Sequence, residues 1–272
     1  MSDMDKPKRK VMRVHHFAQK KRDGMPITML TAYDAITARI CDEAGVDSLL
    51  IGDSYGTTYM GLSSTMEVNL EDIVHATRNV ARGAHYAFII ADLPFGSYES
   101  SPSQAVDSAV QLIKAGAHAV KLEGGVRQAH TIEALVKAGI NVCGHIGYTP
   151  QSIHSLGGPR IQGRGDQEKC LHDDAQAVDD AGAFACVLEM VPSGVAEKIT
   201  SSVSCATIGI GAGNATDGQV LVSTDMFGSV GWVPRFVEKF ANLDDVMSKA
   251  VRQYCDDVHS RRFPSREHSF AS

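Results

Sequence analysis

The chain has 272 residues, a formal net charge of −6 at pH 7 and a hydrophobic content of 43%. This length is enough for one α/β barrel domain or for two smaller domains. The mild acidity argues against a broad nucleic-acid-binding surface, and no apolar run reaches the ~18 residues that a membrane-spanning helix needs.

The six cysteines form no C-x-x-C pair, and most of them lie in apolar segments. Neither a disulfide framework nor a zinc site of clustered Cys and His residues is indicated. The pattern is typical of a reduced cytoplasmic protein.

The first 24 residues are basic, and we expect residues 1–24 to form a solvated arm with a short helix around residues 11–21. Asp3 and Asp5 argue against a transit peptide, and no apolar signal core follows them. Residues 25–272 are predicted to form a single catalytic barrel domain.

Beyond the arm, apolar segments alternate with helical patterns. The segments expected to be strands are 27–33, 48–53, 88–92, 119–123, 141–145, 186–190, 206–210 and 219–223. The helical patterns are 70–82, 103–115, 127–138, 167–181, 193–203 and a further helical region, 234–258. In four places a helical pattern ends with Ala-Gly before a strand, and the glycines are Gly45, Gly116, Gly139 and Gly182. Glycine suits the end of a helix because it accepts a positive φ without a Cβ clash.

This alternation predicts a parallel sheet covered on both faces. Eight such strands favour a (β/α)8 (TIM) barrel, and a doubly wound open sheet is the alternative. In a barrel, catalytic groups cluster where the strands end. Six side chains fall at such ends: Asp34, Asp53, Asp92, Glu123, His145 and Glu189. A single acidic residue there can simply cap a helix, but six at matching positions favour a functional site.

Three of these acidic residues suit a divalent cation. Mg²⁺ takes carboxylate oxygens and keeps water or substrate atoms as further ligands, so Asp53 and Asp92 are candidate ligands. Glu123 is a third, either directly or through water. Zinc is less favoured, because the sequence has no H-E-x-x-H motif and no Cys/His cluster.

The stretch "KAGAHAVKLEGG" places Lys121 and Glu123 on the same face of a strand, since side chains alternate along it. They could form a structural ion pair, or Lys121 could hold the carboxylate or the developing enolate of a substrate. Because burying such a pair costs much desolvation energy, we favour a functional role.

His145 and Glu189 are candidates for catalytic chemistry. His145 in "VCGHIG" is either a packed residue or a hydrogen-bonding partner of a substrate's keto oxygen or carboxylate. Glu189 ends the apolar run "CVLEMV" and is the candidate general acid/base.

Two glycine-rich segments are less specific. "GIGAGN" looks like a dinucleotide fingerprint, but it follows the seventh strand rather than the first, so we interpret it as a tight loop near the ligand. Residues 148–166 are either a mobile lid, with Arg160 and Arg164 facing polar ligand groups, or a plain surface loop.

Several motifs occur together in one order. They are "TAYD", "GDS", "ADLPF", "KLEGG", "CGHIGYTPQS", "QGRGD", "VLEMVP" and "GIGAGNATDGQVLV", with "EHSF" near the end. In these motifs the chain resembles the ketopantoate hydroxymethyltransferase family over about residues 11–270.

The resemblance implies a barrel of the phosphoenolpyruvate/pyruvate superfamily. It implies transfer of a hydroxymethyl group from 5,10-methylenetetrahydrofolate to α-ketoisovalerate (3-methyl-2-oxobutanoate). The product would be ketopantoate, on the route to pantothenate and coenzyme A. The family forms large homo-oligomers, typically decamers.

The resemblance also implies residue roles, carried over motif by motif. The Mg²⁺ residues would be Asp53 and Asp92, with Glu123 nearby, and Ser54, Lys121 and His145 would contact the keto acid. Because the keto acid would bind to the same Mg²⁺ ion, Asp53 and Asp92 are also expected to be substrate-binding residues. Glu189 resembles the family's catalytic acid/base.

Two other classes of function compete with this one. A Mg²⁺-dependent lyase or mutase of the same superfamily would act on a small keto acid without folate. A barrel that binds a metabolite without catalysis would not exchange the C3 proton of α-ketoisovalerate. A nucleic-acid-binding role for the basic arm has little support, because Phe17 is its only aromatic residue.

Overall fold

The computed structural model describes residues 9–270 and divides into two compact units. The first unit extends to Leu221 and the second begins at Val222. The first eight residues of the predicted arm lie outside the described residues. The predicted division into an arm, 1–24, and a single domain, 25–272, stays a prediction.

Eight parallel strands of the first unit close into a barrel in sequence order, as predicted. They are β1 (Ile27–Thr31), β2 (Ser48–Ile51), β3 (Phe88–Asp92), β4 (Ala119–Glu123), β5 (Val142–Gly147), β6 (Ala185–Glu189), β7 (Ala206–Ile210) and β8 (Gly218–Leu221). Strands β1 and β8 close the sheet, with Met29 opposite Val220. The open sheet is therefore excluded.

The helices of this unit follow the predicted pattern, and two further helices occur at 35–44 and 153–156. In chain order the helices are α1 (Val14–Arg22), α2 (Ala35–Ala44), α3 (Leu70–Gly83), α4 (Pro102–Ala115), α5 (Ala129–Lys137), α6 (Ile153–Leu156), α7 (Gln167–Asp180) and α8 (Ser193–Ser202). The four repeated glycines all have positive φ, as expected: Gly45, Gly116, Gly139 and Gly182.

Aromatic side chains fill the end of the barrel where the strands begin. Phe17 of α1 is fully buried, and its ring packs edge-on against Phe88 and Phe184 at centroid distances of 5.3 Å and 4.8 Å. We call these three residues the base cluster. They cover the bottom of a core built from inward-facing strand residues such as Ile90 and Ile208.

Helix α1 is also held by charged groups. Lys20 Nζ lies 3.0 Å from Asp47 Oδ2, and Lys21 Nζ lies 2.8 Å from Asp217 Oδ2. The expectation of a solvated arm was wrong for this helix. Burial of the Phe17 ring, with these two ion pairs, stabilises it against the barrel.

The second unit contains α9 (Ser223–Met226) and α10 (Leu243–His259). The helix expected from residue 234 begins only at Leu243. The reason is that the N–H groups of Phe240 and Leu243 donate to the carbonyls of Met226 and Phe227 instead of continuing a helix. No residue of α10 is buried. Its exposed apolar side chains include Val246, Met247, Val251, Tyr254 and Val258.

None of the helices in residues 9–270 has the length and apolar character needed to cross a membrane.

Candidate active site

The predicted site residues gather at the mouth of the barrel, where the strands end. Strand pairing brings neighbours together, because Asp92 lies opposite Lys121 and Glu123 opposite His145. Asp53 follows the end of β2 by two residues, and Glu189 is the last residue of β6. Five of these side chains are no more than 5% exposed: Asp53, Asp92, Lys121, Glu123 and His145. Lys121 and Glu123 share one face of β4, as expected.

Asp34 is the exception among the six strand-end residues. Its carboxylate accepts hydrogen bonds from the backbone N–H groups of Ile36 and Thr37 at 2.8 Å and 2.9 Å. It therefore caps the first turn of α2, which is the alternative role considered for an isolated acidic residue.

An ion pair forms the centre of the mouth. Lys121 Nζ lies 2.8 Å from Asp92 Oδ1, and the other oxygen of Asp92 accepts the backbone N–H of Asp53 at 2.9 Å. Burial, together with the carboxylates of Asp92 and Glu123, raises the pKa of Asp53 to about 8. Burial alone would lower the pKa of Lys121, but the three carboxylates outweigh it and raise that pKa. Lys121 is therefore a cation that faces three acidic groups.

His145 joins this cluster to Glu189. His145 Nδ1 lies 3.4 Å from Glu123 Oε1 and 3.3 Å from Lys121 Nζ, and Nε2 lies 3.2 Å from Glu189 Oε2. Burial and Lys121 would lower the pKa of His145, but the two glutamates outweigh them and raise it to about 9. Burial would raise the pKa of Glu123, yet His145 and Lys121 outweigh it and lower that pKa. A protonated His145 between two carboxylates is a hydrogen-bond donor at the mouth.

Ser54 is fixed by a tyrosine from the neighbouring strand end. The hydroxyl groups of Tyr33 and Ser54 lie 2.7 Å apart, and Tyr33 is only 2% exposed. Gly52 of the "GDS" motif is required by crowding, since a Cβ there would lie 2.8 Å from Ser54 Oγ. The motif therefore holds the serine beside Tyr33 and the backbone N–H of the preceding Asp53 against Asp92.

Sequence reasoning assigned no role to Gln151, which links two acidic residues. Its side-chain Nε2 donates to Asp53 Oδ2 at 2.9 Å, and its backbone N–H donates to Glu123 Oε2 at 2.9 Å. Its Oε1 accepts from the hydroxyl of Tyr98 at 2.6 Å. Gln151 and Tyr33 both lie within the family motifs "CGHIGYTPQS" and "TAYD". Their place in these motifs was the only sequence feature that pointed to a role at the site.

Gln151 lies near the start of the predicted lid, residues 148–166. Gln151 is buried, whereas Arg160 and Arg164 are exposed. The segment includes the short helix α6, which ends at Gly157 with a positive φ. The movement of residues 148–166 as a lid stays a prediction.

Among residues 9–270, no group of three or more His, Cys, Asp or Glu side chains is arranged to hold a metal ion. The carboxylates instead engage protein donors, with Asp92 paired to Lys121 and both Asp53 and Glu123 bonded to Gln151. The three-residue ligand set of Asp53, Asp92 and Glu123 therefore stays a prediction.

The donor chemistry nonetheless fits a hard divalent cation. Mg²⁺ is usually bound by one or two carboxylates, with water or substrate oxygens completing its shell. Within the described chain, Glu123 Oε1 is buried and has His145 Nδ1 as a charged neighbour at 3.4 Å, but it accepts no hydrogen bond of regular geometry. Burial, and after it repulsion from the carboxylates of Asp92 and Glu123, raises the pKa of Asp53. A cation beside Asp53 and Asp92 would relieve this repulsion.

The closed barrel and the charged groups at its mouth define a (β/α)8-barrel enzyme with its site on the C-terminal face. The chain belongs to the ketopantoate hydroxymethyltransferase family, whose model matches residues 11–266. A 3-methyl-2-oxobutanoate hydroxymethyltransferase of Leifsonia xyli subsp. xyli is 52% identical over 266 residues, which cover 97% of this chain and 96% of that one. A protein of the same name from Corynebacterium efficiens is 50% identical, covering 99% and 100% of the two chains.

Solved structures support the fold. A 2,3-dimethylmalate lyase of the PEP mutase/isocitrate lyase superfamily aligns with a TM-score of 0.59 at 15% identity, covering 96% of this chain and 92% of that one. A phosphonopyruvate hydrolase in complex with oxalate and Mg²⁺ aligns with a TM-score of 0.60 at 12% identity, covering 95% and 93%. These likenesses confirm the predicted barrel fold.

Proposed function

We propose that the protein transfers a hydroxymethyl group from 5,10-methylenetetrahydrofolate to 3-methyl-2-oxobutanoate and so forms ketopantoate. The observation that carries this proposal is membership of the family over almost the whole chain. The mouth of the barrel adds support, because the groups that the reaction needs are present there within hydrogen-bonding reach of one another.

The keto acid would lie at the mouth above Lys121. The Lys121 ammonium and the Ser54 hydroxyl are suited to bind its carboxylate, and the Tyr33 hydroxyl orients that serine. A protonated His145 is suited to donate a hydrogen bond to the keto oxygen, where negative charge develops as the enolate forms.

Glu189 would remove the C3 proton. Its carboxylate is only partly buried, and its Oε2 lies 3.2 Å from His145 Nε2, so the base and the donor flank the same space. Water adds to the methylene carbon carried by the folate, and cleavage of the two bonds from this carbon to nitrogen releases formaldehyde and tetrahydrofolate. The enolate then attacks the carbon of formaldehyde, and the resulting alkoxide takes up a proton, which leaves the hydroxymethyl group on C3.

Asp53 and Asp92 would hold a Mg²⁺ ion, with Glu123 as a third ligand directly or through water. When bound, the ion polarises the keto group and lowers the pKa of the C3–H bond. Gln151 keeps the Asp53 and Glu123 carboxylates oriented toward that position.

We also propose a large homo-oligomer, a decamer by family resemblance, in the cytoplasm. The apolar side chains that α10 exposes support self-association, since an exposed apolar patch commonly marks a protein contact. All six cysteines are free, which suits a reducing compartment.

The test is proton NMR of 3-methyl-2-oxobutanoate in D₂O with protein and Mg²⁺, repeated with excess EDTA. We expect metal-dependent loss of the C3–H signal, and ketopantoate once formaldehyde and tetrahydrofolate are added. Turnover to another product without tetrahydrofolate would favour the lyase or mutase. A folded protein that binds the keto acid without exchange would favour a binding barrel.

A further inference from the structure

A cavity of about 590 Å³ lies beside the mouth, between the loops that follow β4 and β5 and the helix α7. Its volume falls within the range of about 300–1,000 Å³ that is usual for small-molecule sites. The roles proposed above use none of the side chains that line it.

The cavity adjoins the strand ends that carry the active-site residues. The lining residue Gly124 directly follows Glu123, and its N–H donates to the carbonyl of His145 at 2.9 Å. Gly147, also in the lining, lies opposite Glu189 in the strand register. The cavity therefore lies next to the backbone of the acid/base residues.

The lining combines apolar walls with a polar edge. Ile146, Leu156 and Leu171 are apolar, and Asp174 faces them with one oxygen that accepts the N–H of Val126 at 2.8 Å. An apolar slot with a carboxylate at its edge suits a flat heterocycle that carries amino and ring N–H donors.

A cation lies at the rim. The Arg127 guanidinium donates to Ser152 Oγ at 2.7 Å and is otherwise exposed, so it is available to a carboxylate on a ligand. A folate has both parts: a pterin ring with a donor edge, and a glutamate tail with carboxylates. The inward-facing groups of the mouth are almost fully buried, so a second substrate of this size must sit beside them rather than among them.

We propose that this cavity is the binding site of the folate cosubstrate, with the one-carbon unit at the glycine rim and the glutamate tail toward Arg127. The inference rests on the proposed function, because it takes the folate as the second substrate. It adds the location of that substrate and the side chains that recognise it.

The first test uses the two exposed cysteines of the chain as reporters. Cys170 lines the cavity, whereas Cys255 lies in α10 and is not part of the lining. Iodoacetamide labelling would be followed by peptide mass spectrometry with and without tetrahydrofolate. At a ligand concentration about ten times Kd, labelling of Cys170 should slow by about tenfold while Cys255 is unchanged. Equal labelling of Cys170 with and without tetrahydrofolate would overturn the proposal.

The second test fills the cavity. Cys170→Trp should raise the KM for the folate cosubstrate by about tenfold or more and leave C3–H exchange of 3-methyl-2-oxobutanoate near the wild-type rate, because exchange needs no folate. Gln176→Trp is the matched control, since this exposed position on α7 does not line the cavity. An unchanged folate KM in Cys170→Trp would count against the site.

The two tests separate the inference from the function on which it rests. Absence of exchange in the wild-type protein would refute the proposed function, while protection of Cys170 would still identify a folate site. If Cys170→Trp loses exchange as well, through misfolding, protection of the wild-type cysteine decides the question.

Discussion

The two ends of the barrel are built from the same eight strands and have opposite chemistry. At the base, Phe17, Phe88 and Phe184 exclude water by packing aromatic rings. At the mouth, Lys121 and its neighbouring carboxylates are equally buried but charged. Because the strands are parallel, every strand contributes its beginning to one end and its last residue to the other. The fold can therefore separate stability from catalysis along one axis.

The difference has an energetic side. Burying an aromatic side chain such as Phe17 stabilises the fold by roughly 1.5–3 kcal/mol. Burying an ion pair such as Lys121–Asp92 has a desolvation cost that can exceed the Coulombic gain. The mouth is therefore stabilised less by its own contacts than by the base and the surrounding helices, and ligands should stabilise it most.

The largest expected effect is at the mouth. Glu189→Gln removes the proposed base and should slow C3–H exchange by about 10²- to 10⁴-fold, while keto-acid affinity stays within a few-fold of wild type. Exchange in D₂O and calorimetric binding would be measured on the same preparation. A normal exchange rate would reject Glu189 as the base.

At the base the expected effect is on folding instead. Phe17→Ala should lower the free energy of unfolding by about 3–5 kcal/mol through loss of a buried ring, and Phe17→Leu should lower it less. The rate of C3–H exchange per folded molecule should stay unchanged. If the folded fraction of Phe17→Ala lost exchange, the separation between the two ends would be contradicted.

Gln151 tests how the mouth is held. Gln151→Ala removes the side-chain hydrogen bonds to Asp53 and Tyr98 and should weaken Mg²⁺ binding by about 10- to 100-fold, as loss of a residue that orients metal ligands commonly does. Calorimetric titration of Mg²⁺ in the presence of the keto acid would measure it. Gln111→Ala, at an exposed position on α4, is the control. Equal affinities in the two variants would remove Gln151 from this role.

The most gradual expected effect is the pH dependence of stability without metal. The pKa of Asp53 is raised from 3.8 to about 8 and that of His145 from 6.5 to about 9, so the folded state holds both protons at a pH where the unfolded state has released them. Stability should therefore fall as the pH rises, by on the order of 1 kcal/mol per pH unit for each proton. Both protons contribute between about pH 6.5 and pH 8, and the His145 proton alone contributes from there to about pH 9.

Thermal unfolding between pH 6.5 and pH 9 would measure this fall. Asp53→Asn should remove part of the fall in stability. Mg²⁺ should reduce the fall by balancing the charge of the Asp53 carboxylate. Phe17→Ala should keep the wild-type dependence of Tm on pH, because the base cluster contains no titratable side chain. A Tm that does not change over this range would contradict the shifted pKa values.

Local patterns were enough to predict three strands with their boundaries and the glycines that end four helices. The apolar runs of β3, β4 and β7 were assigned with the boundaries that the structure has, because a strand buried on both faces leaves an uninterrupted apolar signal. The Ala-Gly helix ends were equally local, since the positive φ of Gly45 or Gly116 is a property of the residue itself. Strand ends in turn located Asp92, Glu123 and Glu189.

Contacts between distant residues were not predictable in the same way. Gln151 lies 98 residues from Asp53 in sequence, and nothing near it indicates that its side chain reaches into the mouth. Helix α1 looked solvated because its charges dominate its composition, although Phe17 is buried and two of those charges pair with the barrel. The late start of α10 also depends on distant partners, the carbonyls of Met226 and Phe227.

The sequence by itself determined the barrel, its family and the strand ends that carry the acidic, basic and hydroxyl groups. Only the tertiary structure decided how these groups pair, which tyrosine and glutamine hold them, and where a cavity opens beside them. The physical reason is that strand and helix signals come from neighbours along the chain, whereas a pKa, a hydrogen bond or a cavity depends on which segments meet in space.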